Sequence, residues 1–271
     1  FRNAMLDLAI QPKLDVNSID LCGTGGDGKD TFNISTLSSF IVAGAGYKVT
    51  KHGNYGVSSI CGSSNMLESL GYEFTTDNER LNQQLDKGNI CFLHAPLFHP
   101  AMKNVAPVRK ELGLRTFFNL LGPLTNPARP KNQLIGVYKH DIINLYQFLL
   151  EKTTTNFSVV HATDGYDEIS LTSPFKIHTN SSDQLLVPED IGLKKLKPTE
   201  IIGGNSIAES KKIFLDVLQN KGTFEQEQVV LANAGVAIQT IDSSLNMEAA
   251  IEKAKESLKS GSAYASLKNI I

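Results

Sequence analysis

Cysteine is scarce in this chain, and what there is of it sits apart. The three cysteines among 271 residues, Cys22, Cys61 and Cys91, include no C-x-x-C pair, which excludes a disulfide framework and a zinc knuckle. They read as reduced thiols in or near the core. No apolar run approaches the length that spans a bilayer, and Phe1-Arg2-Asn3-Ala4-Met5 has none of the marks of a signal peptide. The expected location is therefore the cytoplasm, with no membrane partner. An excess of charge is missing too: 26 Lys and Arg against 28 Asp and Glu leave a net charge of -2, which counts against a nucleic-acid partner. Internal repeats, low-complexity tracts and charge blocks are absent. What remains, 41% hydrophobic and 20% charged, is ordinary globular composition with material for one large domain. The chain opens at Phe1 with Met5, Leu6, Ala9 and Ile10 on one side of an amphipathic helix, so a preceding segment is expected.

The organising stretch is Asp20-Leu21-Cys22-Gly23-Thr24-Gly25-Gly26-Asp27-Gly28, followed by Thr31-Phe32-Asn33-Ile34-Ser35-Thr36. Ser18 to Cys22 reads as a buried strand, the glycines permit positive-φ turns, and Asn33 to Thr36 offer caps for a helix beginning near Leu37. Strand, glycine turn and helix start together form a cradle for a phosphate or diphosphate. The loop fits neither common nucleotide motif. It lacks the Walker lysine, and Gly23, Gly25 and Gly28 match G-x-G-x-x-G by letter only, with no acidic residue ending the next strand. Asp27 beside a diphosphate calls for a sugar hydroxyl or a metal ion nearby.

Strands and helices alternate through the first two thirds of the chain, which predicts an α/β fold with a central, largely parallel sheet flanked by helices. Strands are expected at Tyr47 to Thr50, Ile90 to Leu93, Leu134 to Tyr138 and Phe157 to His161. Helices are expected at Leu37 to Ala45, Ser64 to Leu70, Asn78 to Lys87, His99 to Leu112 and Ile142 to Glu151. Arg115 to Pro127 mixes apolar residues with turn formers and reads as a structured loop. Phe175 to Thr179 and Gln184 to Val187 look like an antiparallel extension of the sheet. The tail, Ser210 to Leu218, Gln226 to Gln239 and Met247 to Leu258, is helical.

Three places carry chemistry. Lys51-His52-Gly53-Asn54-Tyr55-Gly56-Val57-Ser58-Ser59 is a polar, glycine-bearing loop at a strand end, where open α/β sheets put ligands. Asp167 and Glu168 follow another strand; an adjacent acidic pair is most often a solvated turn, but in a loop it can serve Mg²⁺ together with substrate phosphates. Arg109 and Arg115 are each able to grip a carboxylate through both guanidinium nitrogens. Among the histidines, His99 ahead of Pro100 stands out, whereas His94, His140, His161 and His178 read as structural or exposed.

Gly23-Thr24-Gly25-Gly26-Asp27, Asn33-Ile34-Ser35-Thr36, Lys51-His52-Gly53-Asn54, His99-Pro100-Ala101-Met102, the Arg109 to Pro127 run and Asp167-Glu168, taken in order, resemble the anthranilate phosphoribosyltransferase family. The resemblance implies an α/β catalytic domain over 15–271, with 1–14 the remainder of a small N-terminal helical domain against which a segment near 99–113 packs. It implies transfer of a phosphoribosyl group from phosphoribosyl pyrophosphate to the amine of anthranilate, in tryptophan biosynthesis, by a homodimer using Mg²⁺.

Carried over by residue, the donor contacts are Gly23, Gly26, Asp27, Thr31, Asn33, Ile34, Ser35, Thr36, Lys51, His52, Gly53, Asn54, Tyr55, Gly56, Val57, Ser58, Ser59 and Ser63. Anthranilate is assigned to Gly23, Asn54 and Arg109, with His52, His99 and Pro123 lining its route. The metal falls to Ser35, Asp167 and Glu168. No residue is assigned as a general base. This chain departs from the family's pattern at Tyr55, where Arg is usual, and at Ile60, where Lys is usual, so two positive charges near the donor are missing. Two rival readings stay open at this point: a pyrimidine nucleoside phosphorylase of the same fold, and a non-catalytic nucleic-acid-binding relative.

Overall fold

The computed structural model describes residues 1–15, 17–56, 59–105, 111, 116–154 and 156–271. Its strands are β1 (Ile19–Gly23), β2 (Val49–Gly53), β3 (Ile90–His94), β4 (Asn132–Gly136), β5 (Asn156–Ala162), β6 (Phe175–Thr179) and β7 (Asp183–Leu186). They form one seven-stranded sheet in the order β3-β2-β1-β4-β5-β6-β7. The first five pair in parallel, and β6 and β7 add on antiparallel, as the sequence pattern predicts. Both β3 and β7 are edge strands, yet β3 is buried throughout because helices cover its faces, whereas β7 is largely exposed.

Neighbouring residues on a strand point to opposite faces, and the core divides accordingly. Leu134 and Val160 join the larger cluster, built with the helices Ile34–Gly44, Ile207–Leu218, Phe224–Ile241 and Met247–Lys259. Ile135 and Val159, one residue away on the same strands, join a second cluster with Ile142, Ile143, Tyr146 and Leu150 of the helix His140–Leu150. A third cluster puts Leu81 and Leu85 of the helix Asn78–Gly88 against Cys91, Leu93 and Phe98.

Several boundaries differ from the sequence reading. Strand β2 runs on to Gly53, so Lys51 and His52 lie in the sheet and are buried rather than in the loop that follows. The helix after the glycine loop begins at Ile34 instead of near Leu37. A final helix, Ser262–Lys268, lies beyond the helices the sequence pattern predicts; at seven residues it is too short for its periodicity to stand out. Within Arg115 to Pro127, a helical turn (Phe118–Leu121) and a 3-10 turn (Gly122–Leu124) account for the mixed pattern. Of the segment His99 to Leu112, Met102–Val105 is helical; Arg109 and Arg115 lie outside the described residues, as do Val57 and Ser58.

Candidate active site

The chain reverses its path across the sheet between β1 and β4: β1 leads outward to β2 and β3, and the chain then returns to β4 on β1's other side. Open α/β sheets form their ligand crevice at such a switch point, at the carboxyl ends of the strands. The carboxyl ends here are Gly23, Gly53, Gly136 and Ala162. From them spring the glycine loop, the Asn54 loop and the turn that carries Asp167 and Glu168.

The glycine loop and the acidic turn are joined directly. Gly25 donates its main-chain N–H to Asp167 Oδ2 at 2.6 Å, and Ser35 donates its N–H to Glu168 Oε1 at 2.9 Å. Ser35 belongs to the first turn of the helix Ile34–Gly44, whose N-terminal amides have no partners within the helix. Asn33, the residue at the cap position, does not cap; its Nδ2 donates to the Cys61 carbonyl at 2.8 Å. Glu168 does the capping from 133 residues away, its Oε1 accepting one of the helix's unpartnered amides. Asp167 is buried, Glu168 is half-buried, and both carboxylates are tied to main-chain amides, so the solvated-turn reading of this pair is overturned.

Several of the glycine loop's amides have partners within the protein. Thr24 N–H is taken by the Gly136 carbonyl at 2.9 Å, Gly25 by Asp167 and Lys29 by Asp27 Oδ1 at 3.0 Å. Much of the loop's donor capacity thus holds the protein's own carboxylates. Gly25, Gly26 and Gly28 take positive φ of 66°, 74° and 74°, the backbone freedom the turn requires. Gly23 and Gly136 have a different role: a Cβ on Gly23 would lie 2.3 Å from Asp167 Oδ2, and one on Gly136 would lie 1.5 Å from the Asp167 carbonyl oxygen.

The electrostatics are those of an uncompensated acidic cluster. Burial, then the charge of nearby Asp27, raises Asp167 to about 7, while burial and the Asp167 charge raise Glu168 well above the usual range. Lys51 pulls Glu168 the other way; its Nζ donates to the Leu21 carbonyl at 2.5 Å and lies 3.5 Å from Ser35 Oγ. Among the described residues no group of three or more His, Cys, Asp or Glu side chains is arranged to hold a metal unaided. Mg²⁺ suits such a site, because it keeps waters and takes one or two carboxylates plus the substrate's phosphate oxygens.

Alternation along β2 turns His52 to the opposite face from Lys51. Its Nδ1 meets the Gly122 carbonyl at 3.2 Å, its ring lies 5.2 Å edge-on from that of His99, and its Nε2 is buried without a partner. Burial, then the facing His99, holds His52 down at about 3, so the ring is neutral. His99 Nε2 meets the Thr125 carbonyl at 3.0 Å. Pro123 is buried next to them, its carbonyl accepting from Gln133 Nε2 at 3.1 Å. Lys51 and His52 therefore serve two compartments, one on each face of the sheet.

Asn54, Tyr55 and Gly56 follow the carboxyl end of β2. Gly56 and Gly62 both donate their N–H to Asn65 Oδ1, at 3.0 and 3.1 Å, which pinches the loop at its base, and Ser63 Oγ donates to the Asn54 carbonyl at 3.2 Å. Tyr55 points its hydroxyl to Glu68 Oε1 at 2.7 Å and is 41% exposed. Thr31 bridges to Ile202 on the far side of the glycine loop.

Sequence reasoning passed over Asp20, Asn126 and Asn233. Asp20, 1% exposed, accepts from the His52 N–H at 3.2 Å and from Asn126 Nδ2 at 2.8 Å, and that same Nδ2 donates to the Thr50 carbonyl at 2.7 Å. Burial pushes Asp20 up to about 6, against the pull of Lys51 and Asn126. This network fastens the loop bearing Gly122 and Pro123 to β1 and β2. The available signal was Asp20 itself, an acidic residue inside an apolar strand.

Comparison with known proteins bears on what such a crevice is for. Residues 15–264 match the model of the glycosyl transferase family, a/b domain. An anthranilate phosphoribosyltransferase of Flavobacterium psychrophilum is 56% identical over 271 residues, covering 100% of this chain and 82% of that protein. The Cytophaga hutchinsonii enzyme of the same name is 53% identical, covering 100% and 83%. The chain belongs to the anthranilate phosphoribosyltransferase family. The crystal structure of that enzyme from Thermus thermophilus superposes with a TM-score of 0.92 at 34% identity, over 98% of this chain and 81% of that one. The Saccharomyces cerevisiae enzyme, in complex with PRPP and Mg, superposes at 0.91 with 28% identity, over 100% of this chain and 77% of that one. Membership in the anthranilate phosphoribosyltransferase family displaces the nucleoside phosphorylase and nucleic-acid-binding readings.

Proposed function

We infer that this chain transfers the phosphoribosyl group of phosphoribosyl pyrophosphate to the amine of anthranilate, giving N-(5-phosphoribosyl)anthranilate and pyrophosphate in tryptophan biosynthesis. The names of the relatives support the reaction. The observation that carries it onto these residues is the pair of bonds Gly25 to Asp167 and Ser35 to Glu168, which unite the donor loop and the acidic turn in one crevice.

Chemically, the bond from the anomeric carbon to pyrophosphate breaks as the anthranilate nitrogen approaches from the opposite face, through a sugar with oxocarbenium character. No protein nucleophile is needed, and none is assigned. The glycine loop and the Lys51 ammonium lie on the donor side of the sheet. We assign Mg²⁺ to Ser35, Asp167 and Glu168, guided by the yeast complex that names the ion; when bound, it neutralises the charge leaving with pyrophosphate. His52, His99 and Pro123 form the acceptor's wall, a neutral, largely dry surface that suits an aromatic ring. Arg109 is assigned the acceptor carboxylate, and Asn54 reaches both substrates. Holding amine and anomeric carbon in line is the larger part of the task.

We further assign 15–271 to the catalytic domain and 1–14 to a small helical domain against which the catalytic domain's segment near 99–113 packs, and we assign the protein to a homodimer. No helix among the described residues is long and apolar enough to cross a membrane, and the three cysteines are free, in keeping with a cytoplasmic enzyme.

The test is direct. Anthranilate fluorescence should decline when phosphoribosyl pyrophosphate and Mg²⁺ are added to the purified full-length protein, and should hold steady when either is omitted. A steady signal with all components present would overturn the reading.

A further inference from the structure

The helix Phe224–Ile241 is apolar almost throughout its middle, yet one of its buried positions is an asparagine. Asn233 is 3% exposed, in the run Ala232-Asn233-Ala234-Gly235, and a polar amide there has to be satisfied by the protein. It is satisfied in a specific way. Its Oδ1 accepts the Ile169 N–H at 3.1 Å, and its Nδ2 donates to the Ile169 carbonyl at 2.9 Å and to the Val229 carbonyl, one turn back, at 2.9 Å. The side-chain amide therefore pairs with both main-chain groups of a single residue, as a neighbouring strand would. That residue directly follows Glu168.

The turn needs such a hold. Asp167 and Glu168 are each tied in front by a single main-chain amide, those of Gly25 and Ser35, and a side chain held at one atom is free to swing unless its backbone is fixed. Asn233 fixes that backbone from behind, through both main-chain groups of Ile169. The helix that carries Asn233 is itself fixed to the donor-side helix, since Ser38 Oγ donates to the Val230 carbonyl at 3.2 Å. Ser35, Glu168, Ile169, Asn233, Val230 and Ser38 thus close a ring of contacts through two helices and the turn. Asn233 also borders a small void beneath the acidic turn, shared with Gly23, Ser35, Asp167 and Glu168.

We propose that Asn233 is a positioning residue that sets the Asp167–Glu168 turn in register with the donor-side helix, and so holds the carboxylate pair ready for a divalent cation and diphosphate. The proposal deepens the functional reading above and rests on it for what the turn binds.

Asn233→Leu keeps the branched outline at a larger volume and removes the hydrogen bonds, and Asn233→Ala removes them and leaves a cavity, so an effect common to both belongs to the clamp and not to packing. Three quantities are read on the full-length protein: Mn²⁺ affinity in the presence of phosphoribosyl pyrophosphate, from the free-ion spin resonance signal; hydrogen exchange of the segment 163–174; and the KM for anthranilate. Both variants should weaken Mn²⁺ binding about 10-fold or more, a loss on the scale seen when a hydrogen-bond partner behind a metal ligand is removed. Both should speed exchange in 163–174 while strands β1 to β4 stay protected, and leave the anthranilate KM within about two-fold. A purely structural asparagine would lower protection everywhere and raise both constants together. Unchanged Mn²⁺ affinity with rapid exchange in the turn would also overturn the proposal. The exchange arm does not depend on turnover, so a wild-type protein inactive on the two substrates would sink the functional reading while the clamp was still tested.

Discussion

Gly25 N–H and Asp167 Oδ2 meet at 2.6 Å across 142 residues of chain, and Gly23, two residues before the donor, leaves the room in which that carboxylate lies. An alanine at position 23 would put its Cβ 2.3 Å from Oδ2 and 3.0 Å from the carboxyl carbon. Neither can give way easily, because the Asp167 backbone is packed against Gly136. Gly23→Ala should therefore move the carboxylate by about 1 Å and cut turnover about 100-fold, with the thermal midpoint shifted only a few degrees. Turnover near wild type would show that the position of Asp167 is not critical.

Replacing both carboxylates by amides separates stability from function. A carboxylate whose folded pKa is raised destabilises the fold once pH exceeds the unfolded value, increasingly until the folded pKa is passed. Asp167, raised to about 7, and Glu168, raised further, are in that position at neutral pH. The double variant Asp167→Asn, Glu168→Gln should melt higher than wild type at pH 8 in the absence of metal, and lose Mg²⁺-dependent turnover. At pH 4 the difference in melting should disappear. A lower melting point at pH 8 would mean that the cluster is better compensated than its burial implies.

His52 has the opposite sign. Its folded pKa, held at about 3 by burial and by His99, lies below the ordinary value of 6.5, so its stabilising contribution is complete above pH 6.5 and is lost as pH falls toward 3. By pH 4.5 the loss is on the order of 2–3 kcal/mol. Urea midpoints measured from pH 7 to 4.5 should fall for the wild type, and a His52→Gln variant should show a shallower slope over the same range. Identical slopes would mean that the buried ring does not resist protonation.

Asn126 should affect the acceptor more than the donor. Losing its amide frees Asp20 and Thr50 and leaves buried polar groups unmatched, a cost of about 1–3 kcal/mol. The loop it fastens carries the Gly122 carbonyl that meets His52 and the Thr125 carbonyl that meets His99. Asn126→Ala should thus raise the anthranilate KM several-fold with a smaller change for phosphoribosyl pyrophosphate. Equal changes in both would make the loop a general element of stability.

Arg109 lies outside the described residues, and its assignment rests on the sequence motif alone. Arg109→Ala should raise the anthranilate KM about 10-fold or more and leave the donor KM within two-fold, because a guanidinium grips a carboxylate through paired hydrogen bonds. Matching increases would remove it from the acceptor site.

The sequence by itself determined the alternation of strands and helices, the antiparallel extension at β6 and β7, and the ordered motifs that announce the family. Those features are local, written in runs of apolar residues, in turn formers and in the spacing of glycines. Only the tertiary structure decided that Lys51 and His52, adjacent in the chain, work on opposite faces of the sheet. It also decided that Glu168 rather than Asn33 caps the donor-side helix, and that Asp20 and Asn233 hold the two sides of the crevice. Each of these depends on which strands become neighbours after the crossovers. A residue's partner 64 to 142 positions away is set by that strand order and by register, and neither leaves a periodic trace in the chain.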